Sequence, residues 1–175
     1  MAEQAAPAVV EALDAALRER FGEAIGERRA RHEMPEWSVA APALAQVCAW
    51  LKAEQGLNHL VLLSTVDRGE RLEVVYFLDA MPTPPPYQRL VLRVSVDRAD
   101  PRVPTVSGVW AAANWHEREA WDLMGIVFEG HPDPRRLLLP DVWEGHPLRK
   151  DYTWDADTMV DAILEAELGP RGEGS

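Results

Sequence analysis

Cysteine is nearly absent from this chain: Cys48 is the only one in 175 residues. A single thiol builds no disulfide framework, no CxxC motif and no cysteine-ligated Fe–S cluster or structural zinc site. A reducing compartment, the cytosol, is therefore the expectation. Lysine is scarce as well, with 2 Lys beside 16 Arg. A GC-rich genome explains such a bias, although Arg also suits planar, bidentate pairing at interfaces. Positive charge is in deficit: the net charge is −11 and the pI about 4.9. This argues against nucleic-acid binding, which needs a Lys/Arg surface, and against docking on anionic lipid. Long hydrophobic runs are missing too. The most apolar stretch, around Leu60 to Val66, falls far short of the ~20 residues a spanning helix needs. The opening MAEQAAPAVVEALDAALRERFGE lacks a basic n-region and a continuous apolar h-region, so no signal peptide is expected. Any membrane attachment should come through another protein. The chain also lacks a GxSxG elbow, a GxGxxG after a strand and a GxxxxGK[ST] loop.

What is present suffices for one domain with a sizeable core: 47% of residues are hydrophobic and 27% charged, too apolar for general disorder. Residues 7–21 carry Val9, Leu13, Ala16, Leu17 and Phe21 at helical spacing between Pro7 and Gly22, which predicts an amphipathic helix. The charged stretch 25–36 gives no clear periodicity, and 37–40 suits a short strand. Pro42 opens a second helix with Leu44, Val47, Cys48 and Leu51 on one face, ending near Gly56. Runs at 59–66 and 71–78, separated by Asp67-Arg68-Gly69-Glu70, predict a hairpin. Prolines 82, 84, 85 and 86 impose a stiff loop. Residues 88–96 then alternate, with Leu90, Leu92, Val94 and Val96 on one side, as an antiparallel strand with one wet face does. A short extended piece at 103–106 precedes a helix over 110–124, capped by Gly125. The expected fold is α+β, a two-layer domain of helices packed on a mixed, largely antiparallel sheet, with a long extended C-terminal segment. Its divisions are a core domain over 1–125, an extended partner-binding segment over 126–152 and an acidic tail over 153–175, the tail including a short helix at 155–168. The middle segment holds Phe128, Leu137, Leu138, Leu139, Trp143, Leu148 and Tyr152 among four prolines. That is too much apolar surface for a linker, so a partner is expected to cover it and to protect it from protease.

Chemistry is thin. A metal site from His116, Glu119, His131 and His146 is the sharpest enzymatic alternative, but His116-Glu117-Arg118-Glu119 lacks the two-His helical spacing of a zincin. Glu117 and Glu119 diverge by about 200° on a helix and do not face one site. Cys48 falls on an apolar helix face, as an inert buried thiol does. Catalytic, cofactor-binding and metal residues are therefore expected to be none. Seven Trp in the chain, several crowded beside alternating charges, favour an interaction role, since interfaces enrich Trp and Arg. The expected partner interface comprises Trp115, Glu117, Arg118, Glu119, Asp122, Arg135, Arg136, Trp143, Arg149, Lys150 and Tyr152. Trp110 and Trp121 are expected in the core.

The run Asn114-Trp115-His116-Glu117-Arg118-Glu119-Ala120-Trp121-Asp122-Leu123-Met124-Gly125-Ile126 resembles the signature of the C-subunit family, also called the 30-kDa subunit family, of bacterial NADH–quinone oxidoreductase (respiratory complex I). Phe128-Glu129-Gly130-His131-Pro132, Arg135-Arg136-Leu137-Leu138 and His146-Pro147-Leu148-Arg149-Lys150-Asp151-Tyr152 continue it. Pro134 stands where the family usually carries a leucine-like residue, and no nickel-binding cysteines are present. The resemblance implies a non-catalytic peripheral-arm subunit of a proton-translocating complex. It would dock on the large quinone-cavity subunit near Fe–S subunits, peripheral to the cell inner membrane on its cytoplasmic side. It would bind no cofactor itself, while the assembled complex carries FMN and Fe–S clusters and uses NADH and quinone. The equivalent subunit of a ferredoxin-, F420- or hydrogenase-linked membrane complex is the alternative, with a small His/Glu metalloenzyme less favoured.

Overall fold

The computed structural model describes residues 7–31, 34–82 and 89–153, together with 160, 163, 164 and 166. The prolines at 84–86 and most of the helix expected over 155–168 lie outside the described residues.

Helix α1 spans Pro7–Phe21, and a three-residue 3-10 turn leads into strands β1, Ile25–Arg31, and β2, Met34–Val39. A second 3-10 turn with Pro42 in its first positions opens α2, Leu44–Gln55. Gly56 closes α2 with φ 74°, a left-handed conformation that costs glycine no Cβ clash. Strands β3, His59–Asp67, and β4, Arg71–Asp79, form the expected hairpin. Strand β5, Arg89–Asp97, comes after the proline loop.

The five strands lie in the order β1-β2-β5-β4-β3. All neighbours are antiparallel except β2 and β5, which pair in parallel through Glu36, Trp37 and Ser38 opposite Val91, Leu92 and Arg93. One face of this sheet carries Trp37, Leu72, Val74, Tyr76, Leu78, Leu90, Leu92 and Val94, all buried in the core with Leu17 of α1 and Leu44, Val47, Cys48 and Leu51 of α2. The opposite face is polar at its centre. There Arg93 grips Glu36 with two hydrogen bonds at 3.0 and 2.9 Å and reaches Glu73 at 2.5 Å. A register shift between Leu60 and Leu62 breaks the alternation of β3, so Leu60 and Leu63 are both buried while Val61 and Leu62 stay exposed.

Strand β6, Arg102–Pro104, leads through turns into α3, Ala113–Met124. The helix thus starts three residues later than its periodicity suggests: Trp110 precedes it, buried, with Nε1 donating to the Leu57 carbonyl at 3.2 Å. Strand β7, Val127–Glu129, then pairs in parallel with β6.

This pairing ties the segment that follows residue 125 to the strand before α3. Ile126 and Phe128 belong to the core cluster, so the core runs on into the segment expected to be open. The rest of that segment folds back along α3.

Candidate partner-docking surface around the third helix

Every helix leaves its last four carbonyls without helical donors. In α3 each is met by a group from the chain beyond the helix. The Gly125 amide donates to Trp121 O at 2.8 Å. His146 Nδ1 meets Asp122 O at 3.0 Å, so that nitrogen carries the proton, because a carbonyl only accepts. The Leu148 amide donates to Leu123 O at 3.1 Å, and Arg149 Nε to Met124 O at 2.8 Å. A cation at the C-terminus also complements the helix dipole. Gly125 is required twice over. Its φ is 69°, and a Cβ there would stand 2.4 Å from His146 Cδ2 and 2.8 Å from Arg149 Nη2.

One turn earlier, the fully buried Asp122 organises the returning chain. Its Oδ2 accepts from the amides of Leu137, Leu138 and Leu139 at 3.0, 2.8 and 2.9 Å. Its Oδ1 accepts from Arg136 Nη1 at 2.6 Å. Burial pushes this carboxyl's pKa up, but the three amides and Arg136 outweigh it and hold it below its ordinary value. Arg136 also donates to the Trp143 carbonyl at 2.7 Å and lies over the Trp121 ring. Trp143 is buried and stacks on Tyr152 with centroids 6.5 Å apart. Lys150 donates its amide to Asp67 Oδ2 at 2.9 Å, and Arg98 bridges Asp67 to Asp151.

Glu117 faces inward with no exposed surface. It accepts from the Val106 amide at 2.7 Å and from the Thr105 hydroxyl. Burial pushes its pKa up to about 7 against those two bonds. Its closest imidazole, His131, has Nε2 at 3.9 Å, but that ring accepts the Asp133 amide at Nδ1 and turns Nε2 to the Asn114 carbonyl. The imidazoles of the metal-site alternative are thus engaged with backbone at His131 and His146. Among the described residues no three His, Cys, Asp or Glu side chains converge as a ligand set. Cys48 is fully buried, and desolvation, then the charge of Glu117, push its thiol pKa up, away from a reactive thiolate.

The residues expected at a partner interface therefore separate into two groups. Glu117, Asp122, Arg136, Trp143 and Arg149 are engaged inside this chain, where Glu117 and Asp122 have no exposed surface and Trp143 is buried against Tyr152. Arg118 is divided: it donates to the carbonyls of Arg135 and Arg136 at 3.0 and 2.9 Å while lying over Trp115 at 5.2 Å. Turned outward are Trp115, 60% exposed, and Leu138 and Leu148, each 59% exposed, and Glu119, Arg135 and Lys150 are exposed as well. Large apolar groups held exposed on a fixed framework mark interaction surfaces. Sequence reasoning did not single out Asp67 or Thr105. Asp67 anchors the tail from a β-turn, where its Oδ1 also accepts the Gly69 amide at 2.7 Å, and its turn chemistry masked that second role.

The sequence model of the family described as "Respiratory-chain NADH dehydrogenase, 30 Kd subunit" matches residues 37–158, the stretch that holds most of the sheet, α3 and the returning segment. The chain belongs to that family. The C subunit of the NADH-quinone oxidoreductase of Chloroherpeton thalassium is 44% identical over 140 residues, 78% of this chain and 58% of that protein. The chain thus spans somewhat over half of that relative's length. The C subunit of the Moorella thermoacetica enzyme is 43% identical over 122 residues, covering 69% of this chain and 80% of its own. Among solved structures, the trypsin-resistant fragment (1-134) of Nqo5 superposes with a TM-score of 0.60 at 34% identity, over 69% of this chain and 98% of the fragment. A chain of the membrane-bound sulfane sulfur reductase, an archaeal respiratory membrane complex, shares the fold at 21% identity and a TM-score of 0.64, over 94% of each chain. The α+β fold of this family member is thus the one its sequence pattern predicts. Among the described residues no helix is long and apolar enough to cross a membrane.

Proposed function

We propose that this member of the 30-kDa family is a non-catalytic peripheral-arm subunit of an NADH–quinone oxidoreductase. It supports electron transfer from NADH to quinone by docking on the large quinone-cavity subunit. It is held at the cytoplasmic side of the inner membrane through its partners, near the Fe–S subunits of the arm. The flavin and clusters of the complex belong to other chains in this reading. The buried Cys48 and the backbone-bound His131 and His146 support a structural role.

The observation that carries the proposal is the pairing of a rigid clamp with an exposed apolar face. The carbonyls of α3 and the Asp122 carboxylate fix the chain from 136 to 149, and that fixed framework presents Trp115, Leu138 and Leu148 to solvent. Preorganised anchors of this kind bind at reduced ordering cost.

The test is affinity purification of the tagged chain from detergent-solubilised membranes of its native host. Recovery of the large subunit with Fe–S proteins and NADH-dependent quinone reduction is the expected result. Recovery of the large subunit without NADH activity would point to a complex with another electron donor, and a chain purified alone would contradict docking.

A further inference from the structure

A cleft of about 210 Å³ lies between β3 and α3. Its floor is Leu63 and Ala120, both buried. Its apolar rim is Leu62, 42% exposed, and Leu148, 59% exposed. Strand β3 ends the sheet order, so its outer flank has no strand neighbour among the described residues. The register shift at 60–62 is what turns Leu62 outward while Leu60 and Leu63 both point into the core. Leu148 is fixed as well, because its amide is bound to the Leu123 carbonyl. Two leucines that flank one cleft are thus held partly open to water by backbone geometry, and covering them with an apolar group is favourable.

The polar lining of the cleft is Ser64, Thr65, His116 and Glu119, with Glu119 its one carboxylate. Glu119 lines it and, unlike Glu117 and Asp122 on the same helix, has no ion pair or hydrogen bond among the described residues. Its neighbours one turn away are Trp115, His116, Asp122 and Leu123, with no Lys or Arg among them. An apolar slot beside an unpaired carboxylate, on a chain of net charge −11, is complementary to an apolar side chain flanked by a cation. Because Leu148 belongs to the same returning segment as the exposed Leu138, the cleft is continuous with the docking face proposed above.

We propose that this cleft is a specificity pocket for the large subunit: an apolar side chain of that partner enters between Leu62 and Leu148, and an adjacent Lys or Arg pairs with Glu119. The proposal rests on the docking reading and locates a second anchor about one turn along α3 from Trp115.

Photo-crosslinking in the assembled complex tests it. A benzophenone amino acid replaces Leu62 in one tagged full-length chain and Trp115 in another, each expressed in the native host. The expected result is an adduct from position 62 to a Lys- or Arg-bearing peptide of the large subunit, with its yield lowered about tenfold by Glu119→Arg while the adduct from position 115 persists. Adducts from 115 with none from 62 would overturn the pocket and leave the docking reading intact. An adduct from 62 to a second copy, or to residues 154–175 of the same chain, would also overturn it. No adduct from either position would overturn both.

Discussion

Asp122 and Arg136 meet at 2.6 Å, and the carboxylate that receives this guanidinium also accepts three successive backbone amides. A single buried acid on α3 thus sets the path of the chain about fifteen residues later. Removing one partner of a buried, hydrogen-bonded charge pair leaves the other desolvated and unpaired. Asp122→Asn should therefore lower stability by about 3 kcal/mol, measured by urea unfolding, with faster trypsin cleavage after Arg135 and Arg136. A loss under about 0.5 kcal/mol, the usual range for surface changes, would contradict the assignment.

Glu117 gives the stability a pH signature of opposite sign to that of Asp122. Its folded pKa, about 7, lies above the ordinary 4.5, so the folded state holds the proton more tightly than the unfolded chain. Its contribution is complete below pH 4.5 and is lost as the pH rises to about 7. Glu117→Gln keeps the neutral form at every pH. The difference in unfolding free energy between variant and wild type should therefore shift in favour of the variant from about pH 5 to about pH 8, by up to about 3 kcal/mol. A difference independent of pH would show that Glu117 is not titrating there. Asp122, held below its ordinary value of 3.8, stabilises at neutral pH and loses that contribution only as the pH falls through and below 3.8.

Gly125 and Gly56 form an internal comparison. Both are left-handed helix caps, φ 69° and 74°, so alanine at either costs about 1 kcal/mol in backbone strain. Only at 125 does a Cβ meet His146 and Arg149; at 56 nothing lies within 4 Å. Gly125→Ala should accordingly cost at least about 1 kcal/mol more than Gly56→Ala in thermal or urea unfolding. Equal costs would mean that the tail does not press on the cap.

Much of this architecture is legible in the sequence because periodicity and burial agree. Helices α1 and α2, the β3–β4 hairpin and the alternation of β5 each present one apolar face to one core. Strand β1 is not legible: Ile25-Gly26-Glu27-Arg28-Arg29-Ala30-Arg31 has no apolar alternation, because it is the edge of the sheet and buries only Ile25 among its described side chains. The three-residue strands β6 and β7 are hidden for another reason, since their pairing is a tertiary event too short for a local pattern. At the site, the motif residues are visible but their direction is not. Arg136 pairing with Asp122 of its own chain and Arg136 pairing with a neighbour's carboxylate have the same sequence signature, and only the chain reversal after Gly130 decides between them.

Trp115 and Trp143 should behave oppositely. Trp143 is 8% exposed and Trp115 60% exposed. Trp143→Ala should destabilise the isolated chain by about 3 kcal/mol, whereas Trp115→Ala should change its stability by about 0.5 kcal/mol or less and weaken recovery of the large subunit about tenfold or more. Equal recovery with Trp115→Ala would remove it from the docking face.

The most direct test of the clamp is amide hydrogen exchange on the isolated full-length chain, read at Leu137, Leu138, Leu139 and Leu148. If Asp122 and the Leu123 carbonyl hold these four amides, they are protected in the absence of any partner, and Asp122→Asn releases the first three selectively. Exchange of all four at the rate of a free peptide would contradict the account, because the segment would then be fastened by a partner and not by its own helix.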